Sequence, residues 1–281
     1  MRDDAVHQRI ADATLRRYGA AVEVRSRPPG LDALAALNER SVCRRYRADP
    51  VPEDVFRLLC ATALAAPTKS DLQQADIVRI AAPAKRAAIH ALLPSSPWIA
   101  GAPEFLVFCG DGLRLRRIFE RRGVAFPNEH LDAFFNAVVD GAIVLATFVQ
   151  AAELAGLGSC PISEIRNHAA AVGELLELPD WVFPVAGLTL GYPEAKEPLS
   201  PRLGLGATVH VDRYAADALE PELLAYDERR VRDRPYRRQR AVERFGSAAR
   251  YGWTEDKLRQ YSEPQRADFG AFVRAKRYRL E

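Results

Sequence analysis

Residues 138–149 are apolar nearly all the way round when wound as a helix. A helix with no polar face has to be covered on every side, so it belongs in a core and needs further layers around it. Asn128 can cap the start of this helix, and Gly156 is the residue type that ends one by turning into left-handed backbone. The spacing therefore predicts one long helix to about residue 155. The apolar run contains Asp140, Gly141 and Thr147 and is too short to span a bilayer. A carboxylate at Asp140 inside a core needs a backbone or hydroxyl partner, which gives it a structural role.

The rest of the chain supplies layers to cover that helix. Residues 3–18 and 31–39 read as helices, broken by Pro28, Pro29 and Gly30. A helix over 53–65 stops at Ala66 because a residue before proline resists the α region. Strands are expected over 75–81 and 104–109, with a helix from Pro83 to about 93 between them. The near-continuous apolar run at 104–109 suits a strand covered on both faces. A helix over 163–176 and a strand over 182–190, ending at Gly191, Tyr192 and Pro193, complete the first two thirds. Helices mixed with a few strands give an α+β or α/β class.

With 281 residues, 48% of them hydrophobic, the chain can bury a sizeable core. A net charge of +3 does not describe a nucleic-acid binder, and the amphipathic N-terminus lacks the apolar stretch of a secretory signal. Cys43, Cys60, Cys109 and Cys160 are scattered, without a disulfide framework, which fits a reducing cytoplasm. The histidines show no metal-ligand spacing, so no metal is expected. Charge is uneven, however. Residues 229–250 hold nine arginines against Asp233 and Glu243, which reads as an exposed loop or arm. The tail over 254–281 reads as a polar helix pair anchored by Tyr261, Phe269, Phe272 and Tyr278.

Four segments could carry chemistry. Arg40, Ser41 and Arg44 place two guanidinium groups four apart in a loop, suited to a phosphate and the carbonyl edge of a heterocycle. Alone, the segment reads sooner as a solvated arginine cluster. Thr68, Lys69, Ser70 and Gln73 lie in a polar helix–strand turn whose hydroxyl and amide groups can hold a polyol. Alone, it is an ordinary connection. Gly156 and Gly158, followed by Ile162, Ser163 and Glu164, let backbone approach a flat ligand, although a helix precedes them and the dinucleotide fingerprint is absent. Arg202, in a loop after the Gly-Tyr-Pro turn, could meet a phosphate.

In this order and at these spacings the four segments resemble the nitroreductase family of FMN-dependent, NAD(P)H-using oxidoreductases. The likeness covers about residues 38–205 and is nearest to the NADPH-preferring branch with an extended C-terminal arm. The resemblance implies an α+β, three-layer fold with a central, mostly antiparallel sheet flanked by helices. It also implies an obligate homodimer with the long apolar helix at its centre. Residues 1–37 would be a helical extension, 38–205 the FMN-binding core and 206–281 the arm. Arg40 and Arg44 fall on the family's two basic positions for the flavin phosphate and the pyrimidine edge, with Ser41 one place from the usual hydroxyl, where Val42 stands. Thr68, Lys69, Ser70 and Gln73 match the turn that reaches the ribityl chain and ring from the partner subunit. Ile162, Ser163 and Glu164 match the segment whose backbone N–H meets flavin N5, with Ser163 and Glu164 where glycines are common. Arg202 matches a late basic residue on the phosphate, and Ser200 stands where many relatives have lysine. Arg166, Arg234, Arg237 and Arg238 are candidates for the NADPH 2′-phosphate. Because hydride chemistry resides on flavin N5, no classical catalytic residue is named.

The implied activity is ping-pong transfer of reducing equivalents from NAD(P)H to a nitroaromatic, quinone or related small oxidised substrate. The alternatives are other chemistry on the same fold, such as reductive dehalogenation or flavin breakdown, and a non-catalytic flavin-binding or basic-arm protein. Salt-dependent binding to generic DNA would mark the last.

Overall fold

The structure, a computed structural model, describes residues 2–281, with side chains from Ala5 onward. In chain order the elements are α1 (Arg2–Tyr18), α2 (Leu31–Asn38), α3 (Glu53–Leu64), β1 (Ala75–Arg79), α4 (Pro83–Ala91), β2 (Glu104–Asp111), α5 (Leu113–Arg121), α6 (Leu131–Leu154), β3 (Gly158–Ile162), α7 (Ala169–Leu175), β4 (Val182–Gly191), α8 (Leu219–Asp233), α9 (Val242–Phe245), α10 (Trp253–Gln260) and α11 (Phe269–Ala275). They fall into two compact units. Val42–Lys196 with Arg266–Glu281 form the sheet unit, and residues up to Ser41 with Glu197–Gln265 form the arm unit.

The sheet unit is built on four strands in the order β1-β2-β4-β3, every neighbour antiparallel. Period-two alternation sends β2 side chains to both faces. Leu106 and Phe108 meet Phe56 and Leu59 of α3 and Val144 and Phe148 of α6. Phe105, Val107 and Cys109 meet Ile89 of α4 and Val172 of α7. Helices on both faces make three layers, which is why β2 could be apolar almost throughout. Burial pushes the Cys109 thiol up to about 12, so it is inert packing.

Helix α6 lies in this core but not as a fully covered rod. Ala133, Ala137, Asp140, Gly141, Val144, Phe148, Val149 and Ala152 are buried, whereas Phe135 and Leu154 are 59% and 53% exposed. Covering on every side is thus not supplied within one chain. By length and composition alone α6 could cross a membrane, yet it packs on α3 and β2 and carries a buried carboxylate. It starts later than expected. His130, not Asn128, precedes its first turn, and the Asn128 carbonyl accepts the His130 N–H. It stops as expected. Gly156 takes φ +75, its N–H bonds Glu153 O, and Leu157 N bonds Ala152 O, the paired closure of a left-handed helix end.

Two elements depart from the sequence reading. Residues 113–121 form α5, and residues 158–162 form β3 rather than a glycine loop. Further on, the expected helix over 163–176 begins as a 3-10 turn, Ser163–His168, before α7.

In the arm unit α1 and α2 pack through Val6, Ile10, Leu31 and Ala35. The arginine-rich stretch is not a bare loop. Its first residues finish α8, where Arg229 pairs with Glu222, and ion pairs tie down parts of the rest: Arg240–Asp256, Arg244–Glu263 and Arg250–Glu228. Buried Asp256 and Arg259 on α10 anchor this stretch, the latter donating to the carbonyls of Arg240 and Gly246. The tail helices also divide. α10 belongs to the arm unit and α11 to the sheet unit, where Tyr278 is buried, while Tyr261 is 63% exposed.

Candidate functional site

The polar turn after α3 gathers three left-handed non-glycine residues within four positions. Ser70, Asp71 and Gln73 take φ of 49, 58 and 52, left-handed values that cost a non-glycine residue about 1 kcal/mol or more each. Asp140, 1% exposed on α6, holds the turn in place. Its Oδ2 accepts the Thr68 hydroxyl at 2.5 Å and the Gln74 N–H at 3.0 Å, and its Oδ1 accepts the Lys69 N–H at 3.1 Å. The expected hydroxyl and backbone partners are therefore present. Thr68 Oγ1 also accepts the Gln73 N–H, so one hydroxyl links the two ends of the turn. Lys69 reaches Asp132 at 3.5 Å. A cavity of about 320 Å³ opens beside the turn, lined by Thr68, Gln73, Gln74, Arg114 and Asp140.

At the far rim of this turn lies a carboxyl pair. Asp111 is pushed up to about 6, first by burial and then by its contact with Asp76, while Arg114, 3.0 Å away, opposes the shift.

The segment around Arg44 is threaded along β3. Cys43 N–H donates to Ser159 O, and the buried Tyr46 hydroxyl bridges Cys43 O at 2.7 Å and Thr189 Oγ1 at 2.8 Å. Burial drives the Tyr46 phenol pKa far upward, so it acts as a neutral clamp. This explains Gly158. A Cβ there would lie 2.6 Å from Cys43 Cβ. The missing side chain makes room for the chain's own cysteine.

Beyond β3, Ile162 is buried, and the 3-10 turn carrying Ser163 and Glu164 is clamped from two sides. Ser96 Oγ donates to Glu164 Oε2 at 2.7 Å, and Arg266 donates to Ser163 O and Asn167 Oδ1. The Arg44 guanidinium stacks 5.6 Å from the Trp98 ring. The stretch from Ser96 to Trp98 thus touches two of the sequence-derived candidates. Nothing in the sequence marks it, because it lies in an irregular connection between α4 and β2. Arg166 donates to Val185 O, and burial followed by neighbouring Arg266 lowers its pKa.

In the arm unit Arg40 and Arg202 lie on two segments joined by one residue of α1. Arg17, 7% exposed, donates to Asn38 O at 2.7 Å, to Arg40 O and to Ser200 O at 3.3 Å, and its own carbonyl accepts Arg202 N–H at 2.6 Å. Neither the Arg40 nor the Arg202 guanidinium has a carboxylate partner among the described residues. Arg234 donates to Pro198 O and to Ser200 Oγ at 2.8 Å, so a cation stands beside Ser200. Arg237 and Arg238 are exposed and have no ion pair among the described residues.

The chain is similar to known proteins. The model of the Nitroreductase family matches residues 37–192, and that of its C-terminal domain matches 200–281. The chain is 31% identical to an FMN reductase [NAD(P)H] of Bacillus subtilis, across 70% of this chain and 80% of that protein. It is 36% identical to an oxygen-insensitive NADPH nitroreductase of Salmonella typhimurium, across 66% and 75%. Among solved structures, NfrA2 of B. megaterium superposes with a TM-score of 0.80 at 26% identity, covering 89% of this chain and 98% of its own. The NADPH:FMN oxidoreductase of Vibrio harveyi, complexed with NAD+, gives 0.73 at 25% identity, covering 87% and 97%. With both of its family models matched across most of its length and with these relatives, the chain belongs to the nitroreductase family.

Proposed function

We propose that this enzyme takes reducing equivalents from NADPH or NADH and, by way of FMN, delivers them in a ping-pong sequence to a nitroaromatic, quinone or related small oxidised acceptor. The observation that carries the reading is the turn at residues 68–74. Three left-handed non-glycine residues held by one buried carboxylate are backbone strain kept in a fixed shape, the mark of a ligand-contacting turn. The names of the relatives, an FMN reductase and an NADPH nitroreductase, support the chemistry.

The residues present fit FMN by their donor chemistry. Arg40 and Arg202, without carboxylate partners among the described residues, suit a phosphate dianion, with Ser41 beside the first. Thr68, Lys69, Ser70 and Gln73 offer the hydroxyl, ammonium and amide donors that a ribityl chain and ring edge accept. Ile162, Ser163 and Glu164 supply main-chain groups at a clamped turn, and Arg44, oriented on Trp98, is the cation for the electron-rich edge of the ring. FMN, when bound, supplies the hydride chemistry at its N5. The protein's part is binding, orientation and charge, so no side-chain nucleophile or general acid is assigned. Arg237 and Arg238 carry the NADPH 2′-phosphate in this reading, because both are exposed and without an ion pair among the described residues, whereas Arg166 and Arg234 are only partly exposed.

The reading includes a homodimer. Phe135 and Leu154 on α6, with Leu58 and Leu64 on α3, are at least half-exposed, an apolar face that a second copy would cover. Sedimentation should show a dimer at micromolar concentration.

The test of the whole reading is a visible absorption spectrum of the purified protein, before and after anaerobic NADPH. Flavin bands that bleach on addition are expected. Absence of bands after incubation with FMN would sink the proposal.

A further inference from the structure

Arg17 lies on α1, before the stretch covered by either family match, and the proposed function gives it nothing to do. Its side chain is nevertheless among the few buried charged groups in the arm unit. A buried guanidinium needs its N–H groups satisfied, and this one spends them on carbonyls from two distant stretches of chain. One stretch is the end of α2 and the start of the next loop, through Asn38 O and Arg40 O. The other is the loop before Arg202, through Ser200 O. A cation at the C-terminal carbonyls of α2 is also favoured by the helix dipole.

Arg202 is held on both sides of its own Cα. Its N–H donates to Arg17 O, and its carbonyl accepts from Arg229 Nη2 at 3.3 Å. The preceding carbonyl, Pro201 O, accepts the Tyr226 hydroxyl at 3.2 Å. Arg229 reaches its place by crossing Gly19, the left-handed residue that closes α1, and a Cβ at Gly19 would lie 2.8 Å from Arg229 Cδ. The last turn of α1 therefore fixes the backbone of Arg202 through two routes, and that of Arg40 through one.

We propose that Arg17 is a positioning residue for the FMN phosphate: the N-terminal helix sets the relative placement of Arg40 and Arg202 so that both guanidinium groups meet one phosphate. This inference rests on the assignment of Arg40 and Arg202 to that phosphate. Two cations on flexible loops would lose affinity to ordering, and a buried hub removes that loss before the ligand arrives. Arg17 touches no ligand itself. Lysine cannot replace it, because one ammonium cannot satisfy three carbonyls lying in a guanidinium fork.

The experiment compares FMN with riboflavin, which lacks the phosphate, by fluorescence titration of the apoprotein. The variants are Arg17→Lys, Arg17→Gln and, as a control on the underlying assignment, Arg202→Ala. The wild type should bind FMN more tightly than riboflavin. Arg17→Lys and Arg17→Gln should each lower that preference by about tenfold, as expected for misplacing a charge-assisted contact, with riboflavin binding changed by less than about threefold. A general loss of folded protein would weaken both ligands alike and leave the ratio unchanged, which would overturn the inference, as would unchanged binding of both. If Arg202→Ala collapses the ratio while the Arg17 variants keep it, the positioning role fails and the phosphate assignment stands. If Arg202→Ala also leaves the ratio intact, the phosphate assignment itself fails.

Discussion

Replacing Asp140 by asparagine tests the idea that one buried carboxylate keeps the 68–74 turn in its strained shape. The carboxylate receives three donors on two oxygens, two on Oδ2 and one on Oδ1. An amide has only one accepting atom. In its better orientation it keeps the two Oδ2 bonds and turns an NH2 toward the Lys69 N–H, leaving a buried backbone donor unmet, at about 1–3 kcal/mol. The two retained bonds lose their charge assistance, roughly another 1 kcal/mol each. Relief of the buried charge returns part of this, so the net loss should be about 2–4 kcal/mol. That matches the roughly 3 kcal/mol of strain stored at Ser70, Asp71 and Gln73, so the turn should no longer be held in one conformation. For 281 residues, an unfolding entropy near 2.1 cal/mol/K per residue converts the loss into a fall in Tm of about 3–7 °C. Calorimetry on the apoprotein gives the Tm, and amide hydrogen exchange gives the local effect, with Lys69 and Gln74 exchanging faster. A Tm within about 1 °C of wild type, or a lower Tm with both amides still protected, would refute the clamp.

Arg237→Ala with Arg238→Ala should lower kcat/KM for NADPH by about tenfold or more while NADH is little affected, because only NADPH carries the 2′-phosphate. A parallel loss for both donors would remove these residues from nucleotide recognition. Asp111 holds its proton to about pH 6 in the fold, whereas the unfolded chain releases it near 3.8, so the folded state binds more protons between these values. Its contribution to stability is thus lost as pH rises from about 4 to 6, and Asp111→Asn should be neutral or stabilising at pH 7 and should flatten that slope in urea titrations. His90 works in the opposite sense. Burial, then Arg86, lowers its pKa, and its buried Nε2 has no hydrogen-bond partner among the described residues, so stability falls as pH drops below about 6.5. His90→Phe should remove that acid-side loss. Gly158→Ala should cost about 1–3 kcal/mol by driving a methyl into Cys43, measured by denaturant midpoint.

The parts of the fold legible in sequence were those set by local chemistry. Gly156 announced the end of α6 because only its backbone turns left-handed without strain, and β2 read as a two-faced strand because its apolar run has no polar phase. Helix α5 was not legible, because its buried residue is an arginine. Arg116 is 4% exposed, paired with Glu129 and enclosed by Phe126, Trp181 and Tyr278, partners up to 162 positions away that no periodicity scan sees. Strand β3 was hidden by Gly158 and Pro161. Pairing with β4 makes it a strand, and Pro161 is tolerated because β3 is an edge and that residue is exposed. Of the candidate site, the motif positions were readable from residue type and order. Their supports, Arg17 for Arg40 and Arg202, Ser96 and Trp98 for Glu164 and Arg44, and the Asp140 carboxylate for the 68–74 turn, lie on other segments, and their pairing became visible only in three dimensions.

The arm unit is made of the first and the late parts of the chain, with all of Val42–Lys196 between them. A ribosome adding about 5–20 residues per second needs roughly 8–30 s to cross that interval. During that time α1 and α2 can already pack through Val6, Ile10, Leu31 and Ala35, and Arg17 can already find the carbonyls of Asn38 and Arg40. Its third acceptor, Ser200 O, has yet to be synthesised. The nascent hairpin therefore waits without its Ser200 acceptor, and the arrival of residue 200 joins an early segment of the unit to a late one.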